Sequence, residues 1–318
     1  MNTPGVSPIE KPKIVIIQGP TGVGKTEVAL SLAHAVPAEI INADSLQVYR
    51  LLDIGTAKPS RAQQQAVPHH LISIVSPDED FNAAAFKERA RAIIADIRCR
   101  GALPLVVGGT GLYIRALTRG LCSAPEKDEA LRQRLKEQAR QEGSESLYTL
   151  LQACDPVAAQ KIKPTDLVRI IRALEVFYLT GVPLSAHHRA HAFGDMPYTF
   201  LKIGLSRSRS ELYQRIETRI DQMLAAGLLG EVQAVLDKGY AATLKPLQSI
   251  GYKQMVAFIE GRCSWDEAVR QMKKATKQLA KRQLTWFQHD PEIRWIKLPE
   301  EEPLIPALVK NFLKQKLN

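Results

Sequence analysis

The sequence predicts an α/β fold, a parallel sheet flanked by helices, with an all-helical insertion. Three observations predict it. Apolar runs at 13–17, 39–43 and 103–107 read as buried strands, and residues 82–99 between the last two put Ala85, Phe86, Ala90, Ile93, Ile94 and Ile97 at helical spacing. Such strand–helix alternation builds parallel sheets covered by helices on both faces. The first run passes through Gly19-Pro20-Thr21-Gly22-Val23-Gly24-Lys25-Thr26 into a helical stretch. That is a G-x-x-x-x-G-K-[ST] loop in the strand-to-helix setting it requires. Third, residues 126–181 are charged and helical without a strong strand, and are punctuated at Gly143-Ser144, Asp155-Pro156 and Lys163-Pro164.

Taken in order, the strand at 13–18 ends in the phosphate-binding loop, so the core is expected to be P-loop NTPase-like. Its glycines let successive N–H groups turn toward anionic oxygens, and the following helix N-terminus adds partial positive charge. Lys25 offers a point charge to terminal phosphates, and Thr26 a hydroxyl to Mg2+. The strand at 39–43 ends at Asp44-Ser45. The strand at 103–107 ends in Gly108-Gly109-Thr110-Gly111. Ligands of open α/β sheets bind beyond the carboxyl ends of the strands, so the loop, Asp44 and Thr110 are expected to share one site. Residues 182–199, with Pro183, Gly194 and Pro197, read as loop, and 200–205 as a strand returning to the sheet. Helices follow at 208–225 and 228–238, ending at Gly227 and Gly239. A long helix at 264–289 is capped by Ser264, with Asp266 and Glu267 in its first turn. The expected organisation is a flexible tail at 1–12, a catalytic core from 13–121 and 199–318, and a helical insertion at 122–198.

The 318 residues are 45% hydrophobic and carry a net charge of +10, from 43 Lys+Arg against 33 Asp+Glu. That excess favours a polyanionic partner, nucleic acid before membrane. On the long helix Arg270, Lys273, Lys274, Lys277 and Lys281 form a basic stripe, and no acidic residue occurs from Ala268 to His289. Cys99, Cys122, Cys154 and Cys263 show no C-x-x-C spacing, which excludes the usual zinc and disulfide frameworks. The N-terminus lacks the apolar region of a signal peptide, and no stretch approaches the roughly 20 apolar residues of a membrane span. A reducing, cytoplasmic setting and a monomer are expected. His187, His188 and His191 lie in the loop-like stretch with no partnering Cys and are not read as a metal site.

Further stretches narrow the reading. They are Ile41-Asn42-Ala43-Asp44-Ser45-Leu46-Gln47-Val48-Tyr49, Asp53-Ile54-Gly55-Thr56-Ala57-Lys58-Pro59, Pro68-His69-His70-Leu71, Val107-Gly108-Gly109-Thr110-Gly111-Leu112-Tyr113, Arg172-Ala173-Leu174-Glu175-Val176 and Ser249-Ile250-Gly251-Tyr252-Lys253-Gln254. Together they closely resemble the tRNA dimethylallyltransferases, the isopentenyl-tRNA transferase family of bacteria, over residues 13–286. The resemblance implies transfer of a dimethylallyl group from dimethylallyl diphosphate to N6 of the adenosine 3′-adjacent to the anticodon of tRNA. The loop at Gly19, Pro20, Thr21, Gly22, Val23, Gly24, Lys25 and Thr26 then holds a leaving diphosphate, with Mg2+ at Thr26.

The resemblance further implies that Asp44 is the general base, that Thr110 touches the reacting nucleotide and orients Asp44, and that Arg219 approaches the diphosphate. The adenine is expected to flip from its stack into a channel between core and insertion. Asp44, Ser45, Leu46 and Gln47 would line that channel, and the Gln47 amide is suited to bidentate pairing with adenine. Further contacts to the anticodon stem-loop carry over to Arg132, to Val168, Arg169, Ile170, Ile171 and Arg172, and to Gln248, Ser249, Ile250, Gly251, Tyr252 and Lys253. The chain departs from the family pattern at Leu121-Cys122-Ser123-Ala124-Pro125-Glu126, and at Gln248 and Lys253, where many members have Arg. The rival readings are a small-molecule kinase, which would want a second strand-end Asp where the 103–107 strand has none, and an RNA-binding ATPase.

Overall fold

In the computed structural model, which describes residues 11–122, 124–192 and 194–315, six strands form one sheet. They are β1 (Lys13–Gln18), β2 (Ala38–Asn42), β3 (His69–His70), β4 (Leu103–Gly108), β5 (Thr199–Ser206) and β6 (Ile293–Lys297). Their order is β3-β2-β4-β1-β5-β6, and every neighbouring pair is parallel. β1, β2 and β4 are buried along nearly their whole length, as strands covered on both faces must be. Most of the expected N-terminal tail, residues 1–10, lies outside the described residues.

The helices are α1 (Lys25–Ala35), α2 (Arg61–Ala66), α3 (Ala83–Cys99), α4 (Gly111–Arg119), α5 (Glu129–Glu142), α6 (Ser144–Cys154), α7 (Pro156–Ala159), α8 (Leu167–Thr180), α9 (Leu184–His191), α10 (Arg209–Ala225), α11 (Leu228–Asp237), α12 (Tyr252–Ile259), α13 (Trp265–Gln288) and α14 (Ile305–Lys314). Ser264 caps α13 by accepting from Glu267 N–H at 3.3 Å.

The chain divides into two compact units, residues 1–118 with 197–318, and residues 119–196. The first holds the whole sheet. The second packs Leu135, Leu147, Leu151, Ile170, Ile171 and Leu174 into its own core. At its centre the fully buried Glu175 carboxylate takes a bidentate pair from Arg132, at 2.7 and 2.8 Å, with further bonds from Arg172 and the Asp128 N–H. Burial by itself would raise this carboxyl, but the guanidinium and N–H donors win and hold it down at about 2.

Residues 182–199 are not all loop, because α9 occupies 184–191. Two tertiary anchors override the weak local signal: Leu184 packs against the second unit's core, and Ser185 N–H donates to Asp155 Oδ2 at 2.8 Å. Among the described residues no helix is long and apolar enough to cross a membrane.

Candidate active site

The strand order places β4 between β1 and β2, so three neighbouring carboxyl ends converge. At the end of β4 the chain crosses so close to β2 that a Cβ on Gly108 would lie 2.1 Å from Ala43 O. Thr110 N–H donates to Ala43 O at 3.2 Å, and Thr110 Oγ1 accepts from Ser45 N–H at 3.1 Å. Thr110 therefore fixes the backbone on both sides of Asp44. The Asp44 carboxylate is aimed by its own turn, with Oδ1 accepting from Leu46 N–H at 2.8 Å and Gln47 N–H at 3.4 Å.

The loop at 19–26 takes its shape from Gly22 (φ 81°) and Gly24 (φ 112°), which sit in the left-handed region. It is gripped from outside by α10 and the turn before it. Arg215 donates to Gly22 O and Arg207 to Val23 O, each at 2.9 Å. Lys25 Nζ folds onto the loop, donating to Gly19 O at 3.0 Å and Pro20 O at 2.9 Å. Burial pushes the Lys25 ammonium down to about 8, Arg219 adds to the effect, and Asp44 and Glu27 oppose it. Arg219 is itself lowered, chiefly by burial, with Asp44 and Glu27 acting against that. Lys25, Arg219, Asp44 and Glu27 thus share one electrostatic site.

The Lys25 shift has a direct consequence. A diphosphate needs the ammonium form, and in the free protein that form is lost as pH rises through about 8. Donor affinity is expected to be flat below pH 8 and to weaken toward about tenfold per pH unit above it. Calorimetric titration of a non-reactive diphosphate analogue across pH 6 to about 9.5 checks this; affinity independent of pH over that range would refute it.

A cleft of about 40 Å3 beside the loop is lined by Lys25, Thr26, Asn42, Asp44 and Gln47, and by Ala29, Ile40, Pro59, Ile72 and Val107. His69 and Gly108 complete the lining, which thus mixes charged, polar and apolar groups. Gln47 is tied to the 53–57 segment, its Nε2 donating to Thr56 O at 3.0 Å and Ala57 O at 3.2 Å. Those bonds occupy the amide donors, so Gln47 is left with its oxygen and is not poised for bidentate pairing with adenine. The same segment hangs on Glu231, which accepts from the N–H groups of Asp53, Ile54 and Gly55 at 2.8, 2.7 and 3.1 Å, and from Tyr252 Oη at 2.6 Å.

Other expected contacts sort by exposure. Val168, Arg169, Gln248 and Lys253 are exposed, and Ser249 and Ile250 half-buried. Ile170 and Ile171 belong to the second unit's core, and Gly251 and Tyr252 are buried. Arg132 and Arg172 are committed to Glu175, a structural ion cluster that the sequence alone does not reveal. The basic stripe on α13 is also not of one sign. Lys273 pairs with Asp221 at 2.7 Å, Lys277 with Glu217, and Arg270 with Glu267. A groove of about 500 Å3 between α10 and α13 still gathers Arg209, Arg270, Lys273, Lys274, Lys277 and Lys281 against the single carboxylate of Glu217. In it the Tyr213 ring lies 5.2 Å from the Arg209 guanidinium and 5.3 Å from Lys277 Nζ.

Sequence reasoning missed Arg207, Glu231, Gln283 and Trp286. Each acts over long separation on backbone groups or on a glycine, and no local spacing marks such a role. Gln283 bridges Thr21 N–H and Gly109 O. Trp286 lies so close to the start of α4 that a Cβ on Gly111 would be 2.1 Å from Nε1.

For Mg2+, the donors fit a hard cation held largely by phosphate and water: the Thr26 hydroxyl and Asp44 carboxylate line one cleft. Among the described residues no cluster of three or more His, Cys, Asp or Glu forms a separate metal site.

Two family models match the chain: IPP transferase over residues 47–290 and isopentenyl transferase over residues 12–73. The chain is 52% identical to the tRNA dimethylallyltransferase of Geobacter metallireducens, over 95% of its own length and 98% of the relative's. It is 54% identical to tRNA dimethylallyltransferase 2 of Syntrophus aciditrophicus, over 93% and 96%. Among solved structures, the full-length tRNA isopentenylpyrophosphate transferase of Bacillus halodurans superposes with a TM-score of 0.72 at 37% identity, covering 96% of this chain and 97% of that one. A eukaryotic dimethylallyltransferase acting on tRNA gives 0.78 at 26% identity, covering 96% and 81%.

Proposed function

The chain belongs to the IPP transferase family of tRNA dimethylallyltransferases, and from that premise we propose that it moves a dimethylallyl group from dimethylallyl diphosphate to N6 of the adenosine 3′-adjacent to the anticodon of tRNA, acting as a cytoplasmic monomer. The observation that carries this reading is the carboxylate of Asp44 at the end of β2, lining the same cleft as Lys25 and Thr26.

The N6 lone pair attacks C1 of the donor, the C1–O bond breaks, and its electron pair leaves on the diphosphate. Asp44 takes the proton that N6 sheds. Thr110, through Ser45 N–H, holds the Asp44 turn. Lys25, Arg219 and the loop amides bind and stabilise the leaving diphosphate. Mg2+ held with Thr26 would neutralise further charge on those oxygens. The apolar residues of the cleft lining, Ala29, Ile40, Ile72 and Val107, suit the isoprenoid tail. Against a kinase, β4 ends in Gly108-Gly109-Thr110, with no carboxylate there for a second metal contact.

The test mixes the protein with tRNA lacking the modification, Mg2+ and dimethylallyl diphosphate labelled in its prenyl group. Label is expected in tRNA; label remaining in solution while ATP is consumed would overturn the reading. The α10–α13 groove supports RNA as the acceptor's carrier, and the exposed Lys274 and Lys281 test it without breaking an ion pair seen in the structure. Lys274→Glu with Lys281→Glu is expected to weaken tRNA binding roughly tenfold at low salt and to lower the salt slope by about 2. A filter-binding salt titration measures both, and an unchanged slope would rule the groove out.

A further inference from the structure

The β1–β4 ladder ends at the Gln18–Gly108 pair, and beyond it the two chains part, one into the phosphate loop and the other toward Thr110. One side chain continues the connection. Gln283, on α13, accepts from Thr21 N–H through Oε1 at 2.8 Å and donates through Nε2 to Gly109 O at 2.9 Å. An amide placed this way does what a peptide unit between two parallel strands does: it takes an N–H from one chain and gives an N–H to the other. Gly109 is shaped to it. Its φ lies outside the left-handed region, so the backbone does not call for glycine. A Cβ there would nevertheless lie 2.4 Å from Gln283 Nε2. The space is kept for the amide.

We propose that Gln283 is a positioning residue for prenyl transfer: its side-chain amide fixes the distance between the diphosphate cradle and the Gly109–Thr110 turn that holds the backbone on both sides of Asp44. This rests on the prenyl-transfer reading. The donor's C1 is located by the cradle, and the proton acceptor by Thr110 and Ser45. The attacking nitrogen must meet C1 in line with the departing oxygen, and a displacement of about 1 Å between the two halves costs roughly 100-fold in rate. Gln283 touches neither reacting atom in this account, so its loss leaves the binding groups in place and shifts only their mutual register.

The experiment compares full-length parent, Gln283→Met, Gly109→Ala and the double variant in single-turnover transfer at saturating tRNA and donor, with both dissociation constants measured separately. Met keeps length and shape but neither hydrogen bond, and Gly109→Ala displaces the same amide from the other side. Each single variant is expected to lower the saturating rate by roughly 30-fold, with both dissociation constants within about threefold of the parent. The double variant is expected to be no slower than the slower single one, because both changes break one linkage. Gln283→Glu, which keeps the acceptor for Thr21 N–H and loses the donor to Gly109 O, is expected to fall with them. Saturating rates within about twofold of the parent, losses carried wholly by weaker substrate binding, or losses that multiply in the double variant would each overturn the proposal. If Gln283→Met does not fold, Gly109→Ala decides by the same criteria of rate and binding. A parent protein that transfers no label would fail the prenyl-transfer reading itself, a result distinct from all of these.

Discussion

Replacing Asp44 by Asn is expected to slow prenyl transfer by roughly 1000-fold while leaving tRNA affinity within about threefold of the parent, because a positioned general base contributes on that scale. The substitution is clean for a structural reason. The carboxylate's Oδ1 already serves the turn, accepting from Leu46 and Gln47 N–H. An Asn amide oxygen accepts the same two bonds, so the turn and the neighbouring Ser45–Thr110 contact survive. What disappears is the proton acceptor and one negative charge facing Lys25 and Arg219. Losing that charge removes one of the two carboxylates that oppose the lowering of Lys25, so the loss of donor affinity with rising pH is expected to begin earlier than in the parent. Single-turnover transfer and equilibrium binding, measured side by side, separate these effects. Near-parental turnover would assign the base elsewhere.

Glu175→Ala is expected to destabilise the helical unit by about 3 kcal/mol at neutral pH, since removing one partner of a buried ion cluster strands the others. Arg132, Arg172 and the Asp128 N–H all converge on that carboxylate. The sign of the pH dependence follows from its depressed value of about 2. The carboxylate's contribution is fully present above the ordinary range near 4.5 and fades as pH falls from there toward 2. The stability gap between parent and variant should therefore be widest at neutral pH and narrow steadily below pH 4.5. Urea unfolding followed by circular dichroism at several pH values checks it. A gap that stays constant from pH 7 to about 3 would mean the cluster contributes little.

Those two residues also mark the limit of what the chain alone discloses. The central strands were legible because they are buried on both sides and therefore read as unbroken apolar runs, as at 13–18 and 103–108. The phosphate loop was legible because its chemistry demands fixed residues at fixed spacing. β6 was not, since its buried residues, Ile293 and Ile296, stand three apart and show no strand period. The same holds for α9, which is specified by Leu184 and Asp155 rather than by its own composition. Asp44 stood out as a carboxylate at a strand end. Gln283 did not, because its partners lie 262 and 174 residues away. Exposure was the other blind spot. An arginine in a charged helix reads as surface, yet Arg132 spends its guanidinium on a carboxylate with no solvent exposure.

The anchorage of the 53–55 segment on Glu231, like the grip of Arg207, Arg215 and Gln283 on the phosphate loop, has a consequence for biosynthesis. The loop at 19–26 leaves the ribosome well before the groups that hold it in shape, which lie at 207, 215 and 283. At elongation rates of about 5–20 residues per second, several seconds or more separate the two events. β1 meanwhile waits for β4 and then β5 on its two sides. The donor pocket is thus begun long before it is finished. A nascent chain stalled before residue 207 would carry an intact phosphate-loop sequence without the braces that hold its conformation.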